Sequence, residues 1–512
     1  MQQYSVKETS GKLVLFATIL ASGMAFLDGT VVNIAIPNIQ AHLSATLTGI
    51  QWIVNGYMLM LSSLLLITGS LGDIFGRKKI FIYGIILFTI SSFLCSISGS
   101  ITQLILSRVL QGIGGAMMVP GSLSIINASF EEKVRGKAIG LWSGYSGGLI
   151  ALGPFLGGWL VQAFGWQSIF YINIPIGILA VLLTVKFVPE SKSDEKRSID
   201  FLGTIAIFLS LLGMSYGLIM GPDKGWGNDF SGISLILGII LFFVFLFVES
   251  RVKHPLVPFH IFSSKLVTGA NLVTLFLYFA LNATIFFFIL NLQQVQHFPP
   301  LLAGLAMLPT ILLITFLSGP AGGLADKIGP RVPMIVGPFL VAIGMFLLAI
   351  AGKGVNYWIS YMPGLLLFGG GMALVIAPLT KSALAVEQKY SGAASGVNNA
   401  VARVAGLLAV ALMGAVMLSI FSKQLISHIQ SGAMVQAEKQ QILSQTDKLG
   451  GITIPQTFSS GAKLQAQTAV EDSFLSGFHV VMGVNAFLAL LSAIIAFFTI
   501  FPKKIAPVKK QR

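Results

Sequence analysis

Apolar residues in this chain come in long runs separated by short polar turns. Fourteen such runs lie at 13–36, 50–71, 80–98, 103–128, 137–162, 167–187, 201–220, 232–249, 267–291, 301–323, 333–351, 359–384, 395–421 and 478–500. Crossing a bilayer core of roughly 30 Å takes about 20 apolar residues in a helix, so each run predicts one span. Short strands of alternating polarity, which a membrane barrel would need, are not found. The first run is too long for a cleaved signal peptide, contains Asp28 and is followed by more spans, so it reads as part of the protein.

Composition agrees with an all-α integral membrane protein: 55% of the 512 residues are hydrophobic and 10% charged, which excludes a soluble multidomain chain. A net charge of +14 raises the possibility of nucleic acid binding, but the positions of the charges assign most of it to topology. Arg77-Lys78-Lys79, Lys133, Arg135, Lys137, Lys192, Lys196, Arg197, Arg251, Lys253, Lys265, Lys327, Arg331, Lys381, Lys389 and the basic tail all fall on one side. The short loops opposite hold Lys224 and Lys353. That asymmetry predicts a multi-pass protein of the cytoplasmic (inner) membrane with both termini cytoplasmic. Contact with anionic lipid is a secondary role for the same charges. The single cysteine, Cys95, excludes an intrachain disulfide and a cysteine-based metal site.

Gly69-Ser70-Leu71-Gly72-Asp73-Ile74-Phe75-Gly76-Arg77-Lys78 recurs as Gly322-Gly323-Leu324-Ala325-Asp326-Lys327-Ile328-Gly329-Pro330-Arg331, both in short cytoplasmic turns. The copies follow the second and tenth spans. Two six-helix halves with two helices inserted between them give that spacing, and such repeats place a cargo cavity at their interface. The predicted organisation is an N-terminal bundle at 13–187, two inserted helices at 201–250 and a C-terminal bundle at 266–500. The last includes an extracytoplasmic loop at 422–477. Within it Ser422–Lys448 reads as helical, Gly450-Gly451 as a break and Ala462–Phe478 as a second helix. A solvated hairpin is the favoured reading, and a cover over an outward-facing cavity or a partner-docking surface the alternative.

Asp28 is the one acid well inside a span. A charged Asp in mid-helix costs about 2.5–3.5 kcal/mol on insertion scales, so such a residue usually faces a cavity or carries function. A carboxyl here can take and release a proton, and a cation arriving about 4 Å away at an effective dielectric of about 20 would be worth about 4 kcal/mol. Cargo and proton would then expel one another, which is antiport. Arg108 and Arg403 are the two bases in mid-span.

These residues resemble the major facilitator superfamily, specifically its fourteen-helix drug:proton antiporters of the EmrB/QacA type. The resemblance rests on Leu27-Asp28-Gly29-Thr30-Val31-Val32-Asn33 with Ile36-Pro37, and on the turn motif from Gly69 to Lys79. It also rests on Leu104, Arg108, Gln111-Gly112 and Gly114-Gly115-Ala116 in the fourth span and Gly153-Pro154 with Gly157-Gly158 in the fifth. Trp166 and Ile169-Phe170-Tyr171-Ile172-Asn173-Ile174-Pro175-Ile176-Gly177 extend it into the sixth. It implies that Asp28 and Arg108 couple protons, Arg108 biasing Asp28; the rival is a structural pairing of Arg108 with carbonyls of the first helix. Gly69, Asp73, Gly76 and Arg77, with Asp326 and Arg331, would form gating turns. Gly153, Pro154, Gly157 and Gly158 would be the antiporter motif, whose small residues allow close packing. The chain departs from the pattern at Leu149, where a glycine is usual, and at Trp166-Gln167-Ser168, where Trp-Arg-Trp is usual. Ala402-Arg403 is shifted by one residue, about 100° around the helix, from the family's Arg-Gln pair.

Candidate cargo residues are Trp52, Asn55, Tyr57, Tyr145, Phe279, Asn282, Phe286, Asn291, Asn398 and Asn399, since aromatic faces and amides suit amphipathic compounds. No metal-ligand cluster, nucleophile constellation or nucleotide loop appears, so no cofactor is expected beyond a proton gradient. The expected function is proton-coupled efflux of amphipathic, monovalent cationic or neutral drug-like compounds, with a periplasmic adaptor as partner where a second membrane exists. A dedicated exporter of a metabolite, lipid or siderophore-like compound is one alternative, and a non-transporting sensor or scaffold another.

Overall fold

The computed structural model describes residues 4–5, 8–192, 200–227, 230–252, 255–387, 390–432 and 434–500. The long helices follow the apolar runs: α1 (Thr9–Leu43), α2 (Leu47–Phe75), α3 (Arg77–Ser96), α4 (Ile101–Ser129), α5 (Glu132–Phe164) and α6 (Ser168–Phe187). Next come α7 (Phe201–Lys224) and α8 (Phe230–Glu249). Then follow α9 (Lys265–Val295), α10 (Pro300–Ile328), α11 (Arg331–Ala349), α12 (Met362–Ala383), α13 (Ser391–Ser431) and α14 (Ser460–Thr499). α2 is bent by 55° between Leu65 and Ile67; the other thirteen run as single spans.

Polar residues set the starts. Thr46 accepts from Gly49 N at 3.1 Å, Ser100 from Gln103 N at 3.3 Å and Asp200 from Gly203 N at 2.8 Å, each satisfying an amide that a helix start leaves free. The repeated motif is a helix end. Asp73 and Asp326, read from sequence as turn residues, lie in the last turns of α2 and α10. The chain reverses at the following Gly76 (φ +114°) and Gly329 (φ +87°), which explains the second glycine of the motif.

α1–α6 form one bundle and α9–α14 the other, and the two meet at the ends away from the start of α1. There Leu301 N donates to Gln162 Oε1 at 3.3 Å, joining α10 to α5, and Gln51 Nε2 to Val410 O at 2.7 Å, joining α2 to α13. Gln293 Nε2 donates to Ile34 O at 2.9 Å, joining α9 to α1. At the opposite end the bundles part. Phe16, Tyr145 and Phe316 are exposed there and, with Ile19, Gly144 and Leu312, line an apolar cavity of about 460 Å³ between α1, α5 and α10. α7 and α8 pack closely through Gly213, Gly217 and Gly238. α7 is seated on α2 and α13 through Leu59, Leu211 and Leu407, while α8 turns Phe230, Ile233, Ile236, Phe243 and Phe247 outward.

α13 has 41 residues and α14 has 40, about 60 Å each at 1.5 Å per residue, so both project well beyond a bilayer core. Between them the expected helix over Ser422–Lys448 is not continuous. α13 stops at Ser431, a short helix runs over Gln436–Leu443, and a tight turn occupies Thr446–Gly451. Nor is this segment a solvated hairpin: Ile442, Leu449 and Phe458 are buried in the main core. Gln40 Nε2 donates to Lys448 O, and Gln294 Nε2 to Gln40 Oε1, both at 2.8 Å. The segment thus closes over the contact between α1 and α9, because its apolar residues can be buried only there.

Candidate functional site

Arg108 and Gln111 are three apart on α4 and so share a helix face. That face meets Asp28 on α1. Arg108 Nη1 donates to Asp28 Oδ2 and, at 2.6 Å, to Gln111 Oε1; Gln111 Nε2 donates to Asp28 Oδ1 at 2.8 Å. Asn173 Nδ2, at the start of α6, reaches the same oxygen at 3.5 Å. Gln111 Nε2 and Asn173 Nδ2 also bond Ser92 Oγ on α3, at 2.8 and 3.3 Å. The Asp28 and Arg108 side chains are 0% and 1% exposed, so two opposite charges are held out of water by each other and by amides.

The rest of Arg108 is also enclosed. Its Nε donates to Ile53 O at 3.2 Å, so the carbonyl partner lies on α2 and not on α1 as the rival reading supposed. Its guanidinium stacks 4.3 Å from the Tyr57 ring centre, and Tyr57 in turn donates to Ala25 O at 3.1 Å. Cys95 Sγ touches Gln111 Oε1 at 3.7 Å. Asn55 is fully buried nearby in sequence, with neither amide atom bonded among the described residues.

The glycine motif of α5 serves two contacts. A side chain at Gly153 or Gly157 would strike Thr30 or Val31 of α1, whereas one at Gly158 would strike the Pro300 backbone of α10. Pro154 faces Gly304 of α10 in the same way. The turn motifs stay within their own bundles. Arg77 bonds Asp73 at 2.8 Å, and its backbone N donates to Ser191 O at 2.9 Å. The second copy pairs differently, since Asp326 binds Lys381 while Arg331 Nη2 donates to Phe497 O at 3.2 Å.

The candidate cargo residues separate into groups. Tyr57 belongs to the charge network and Tyr145 to the apolar cavity. Trp52 packs on Tyr216 of α7, and Phe286 on Phe287 in the core, away from any opening. Phe279 packs against that core as well. Asn291 binds the Tyr361 hydroxyl at 3.1 Å, and Asn398 bridges to Asn271 and Thr274 at 3.2 and 2.8 Å, which are fastening contacts. Asn282 binds Tyr278 O at 2.7 Å, and Asn399 is exposed on α13. Sequence reasoning passed over Gln111, Asn173 and Ser92. The spacing of Gln111 from Arg108 was a usable signal and Asn173 stood in a quoted motif, but nothing marked Ser92.

Residues 18–410 match the Major Facilitator Superfamily model. The multidrug resistance protein Stp of Mycobacterium tuberculosis (strain ATCC 25618 / H37Rv) is 32% identical over 422 residues, 82% of this chain and 78% of that protein. The tetracenomycin C resistance and export protein of Streptomyces glaucescens is 30% identical over 494 residues, 95% and 91% of the two chains. The fold resembles the crystal structure of a bacterial homolog of the human lysosomal transporter Spinster in an inward-facing, occupied conformation. The TM-score is 0.67 at 17% identity, with 96% and 97% of the chains covered. With fourteen long helices in two bundles and these matches, the chain belongs to the Major Facilitator Superfamily of membrane transporters.

Proposed function

We propose that the protein is a proton-coupled exporter of amphipathic, drug-like compounds working by alternating access, and that the enclosed Asp28–Arg108 pair is its proton site. The pair carries the reading because it is a switch with a definite cost. Protonating Asp28 removes the counter-charge of Arg108, and an unpaired buried charge is worth about 3–5 kcal/mol. Turning a two-state equilibrium from one extreme to the other takes about 5.5 kcal/mol. One proton can therefore supply most of the bias between the two faces of the transporter.

The positive-inside distribution makes the open end cytoplasmic, so the geometry corresponds to the state that collects cargo from inside. Drug resistance and export in the relatives' names supports efflux, and the name of one after a single compound favours a dedicated exporter as the second reading. Of the monovalent cationic and neutral cargoes left open by the sequence, this geometry favours those without a cationic centre. The Asp28 carboxylate is already covered by Arg108, Gln111 and Asn173.

The test is pH-driven transport in proteoliposomes. Asp28→Asn should insert and fold but lose coupled movement; undiminished movement by that variant refutes the assignment. Competition among chemically unlike compounds separates the two readings, since a dedicated exporter ignores most of them.

A further inference from the structure

Asp28 and Arg108 neutralise each other, which leaves Arg403 as the mid-span charge to be explained. Among the described residues it forms no ion pair and its guanidinium makes no hydrogen bond; it stacks 5.7 Å from the centre of the Phe26 ring on α1. An uncompensated guanidinium facing lipid is expensive, so such a residue faces the bundle interior or a water-filled cavity. The rest of α13 agrees. Its other sides pack on α2, α7, α9 and α14, whereas Asn399, one turn earlier on the Arg403 face, is exposed. The Asn282 amide packs against Gly406 one turn further on. Phe26 is itself held edge-on by the buried Trp142 at 6.3 Å, which fixes its ring beside the charge.

Resting on the export reading, we infer that Arg403 is the group that reads cargo charge, and that it receives the carboxylate or phenolate of a monoanionic aromatic amphipath. A planar guanidinium offers paired donors to a carboxylate while its face remains on Phe26. The aromatic part of the cargo lies along Phe26. The proton then acts at Asp28 and the cargo's negative charge at Arg403, so the two are linked through α1 and not by competition for one side chain.

Three probes that share one pyrene ring test this: 4-(1-pyrenyl)butanoate, the corresponding alcohol and the corresponding amine. Binding to the full-length protein in phosphatidylcholine vesicles is read by fluorescence. The carboxylate should bind about tenfold or more tighter than the alcohol, as a charge-assisted bond implies. Arg403→Gln should remove that advantage and leave the alcohol within about twofold, while Arg403→Lys should keep part of it. Equal losses for carboxylate and alcohol, or tighter binding of the amine by the unaltered protein, would overturn the inference. A fractional loss of carboxylate affinity on adding phosphatidylglycerol that is the same in Arg403→Gln is surface repulsion and supports a soluble cargo; a larger loss in the unaltered protein assigns Arg403 to a lipid headgroup and overturns it. Failure of export itself is distinguishable. A carboxylate that binds through Arg403 yet is not moved by a pH gradient sinks the transport reading alone, and an amine moved in preference sinks the anion inference alone.

Discussion

Gly158→Ala tests whether the α5–α10 contact holds the closed end. A Cβ at Gly158 would stand 2.5 Å from Pro300 O and 2.9 Å from Leu301 Cα, both backbone atoms that cannot rotate away. Ordinary contact begins at 3.4 Å, so the two helices must separate by about 0.9 Å. Overpacking of this kind costs about 1–3 kcal/mol. Because it falls on the state in which these ends touch, it should favour the opposite state by roughly 5- to 150-fold. The single cysteine makes the measurement simple. Cys95→Ser retains a donor to Gln111, and cysteines introduced at the exposed Phe164 and Leu302 can carry spin labels on α5 and α10. Pulsed electron resonance should show a longer label separation gaining population in the alanine variant. A distance distribution identical to that of the parent, in folded protein, would refute the role given to this contact.

Gln51→Ala removes the bond to Val410 O that joins α2 to α13 at the same end, so the same label pair should shift in the same direction, by less. Leu149, where the family has glycine, occupies the space left by Gly23 on α1. Gly23→Ala should therefore destabilise, Leu149→Gly should relieve it, and a double-mutant cycle by thermal unfolding should give a coupling of about 0.5–3 kcal/mol; additive effects would dissociate the two. Burial, with the Asp223 carboxylate close by, pushes Asp447 above the usual carboxylate range, and Lys448 opposes this only in part. The docked loop then binds that proton more tightly than an undocked one, so docking is strongest below the ordinary carboxylate value and weakens as pH rises through the raised one. Hydrogen exchange of residues 443–452, corrected for intrinsic rates, should be slower at the ordinary carboxylate value of about pH 4 than at about pH 7, and Asp447→Asn should flatten the difference.

Span number, the repeat and the deep acid were legible because each is a property of the chain itself: run length, self-similarity and the cost of a charge in hydrocarbon. What resisted reading were relations between distant helices. The companions of Asp28 come from α3, α4 and α6, and serine or asparagine in an apolar run looks the same whether it joins a network or bonds its own helix, as Ser91 does with Leu87 O. The loop over 432–459 misled for a related reason, since its apolar residues are sparse and irregular and their burial depends on a surface that two bundles build together. The displacement of Arg403 by one position looked like a flaw in a motif. In three dimensions that rotation brings its guanidinium to Phe26.

Phe26 and Asp28 are two residues apart on α1, about 200° around the helix, so on the proposed reading one helix presents the proton site on one face and the cargo-contacting ring on the other. On that reading, protonation that frees Arg108 would repack α1 against α4, and the same movement would displace Phe26 from beneath Arg403. The charge balance of that cycle can be measured. A monoanion leaving as one proton enters carries two elementary charges inward, each worth about 2.3 kcal/mol per 100 mV, so the membrane potential adds roughly 4.6 kcal/mol per cycle at that voltage. A neutral cargo gains half as much and a monovalent cation nothing. Proteoliposomes given a potassium diffusion potential without a pH gradient should therefore concentrate 4-(1-pyrenyl)butanoate on the side that the voltage dictates, and more steeply than the matching alcohol. Indifference to voltage would refute the one-proton, one-anion cycle.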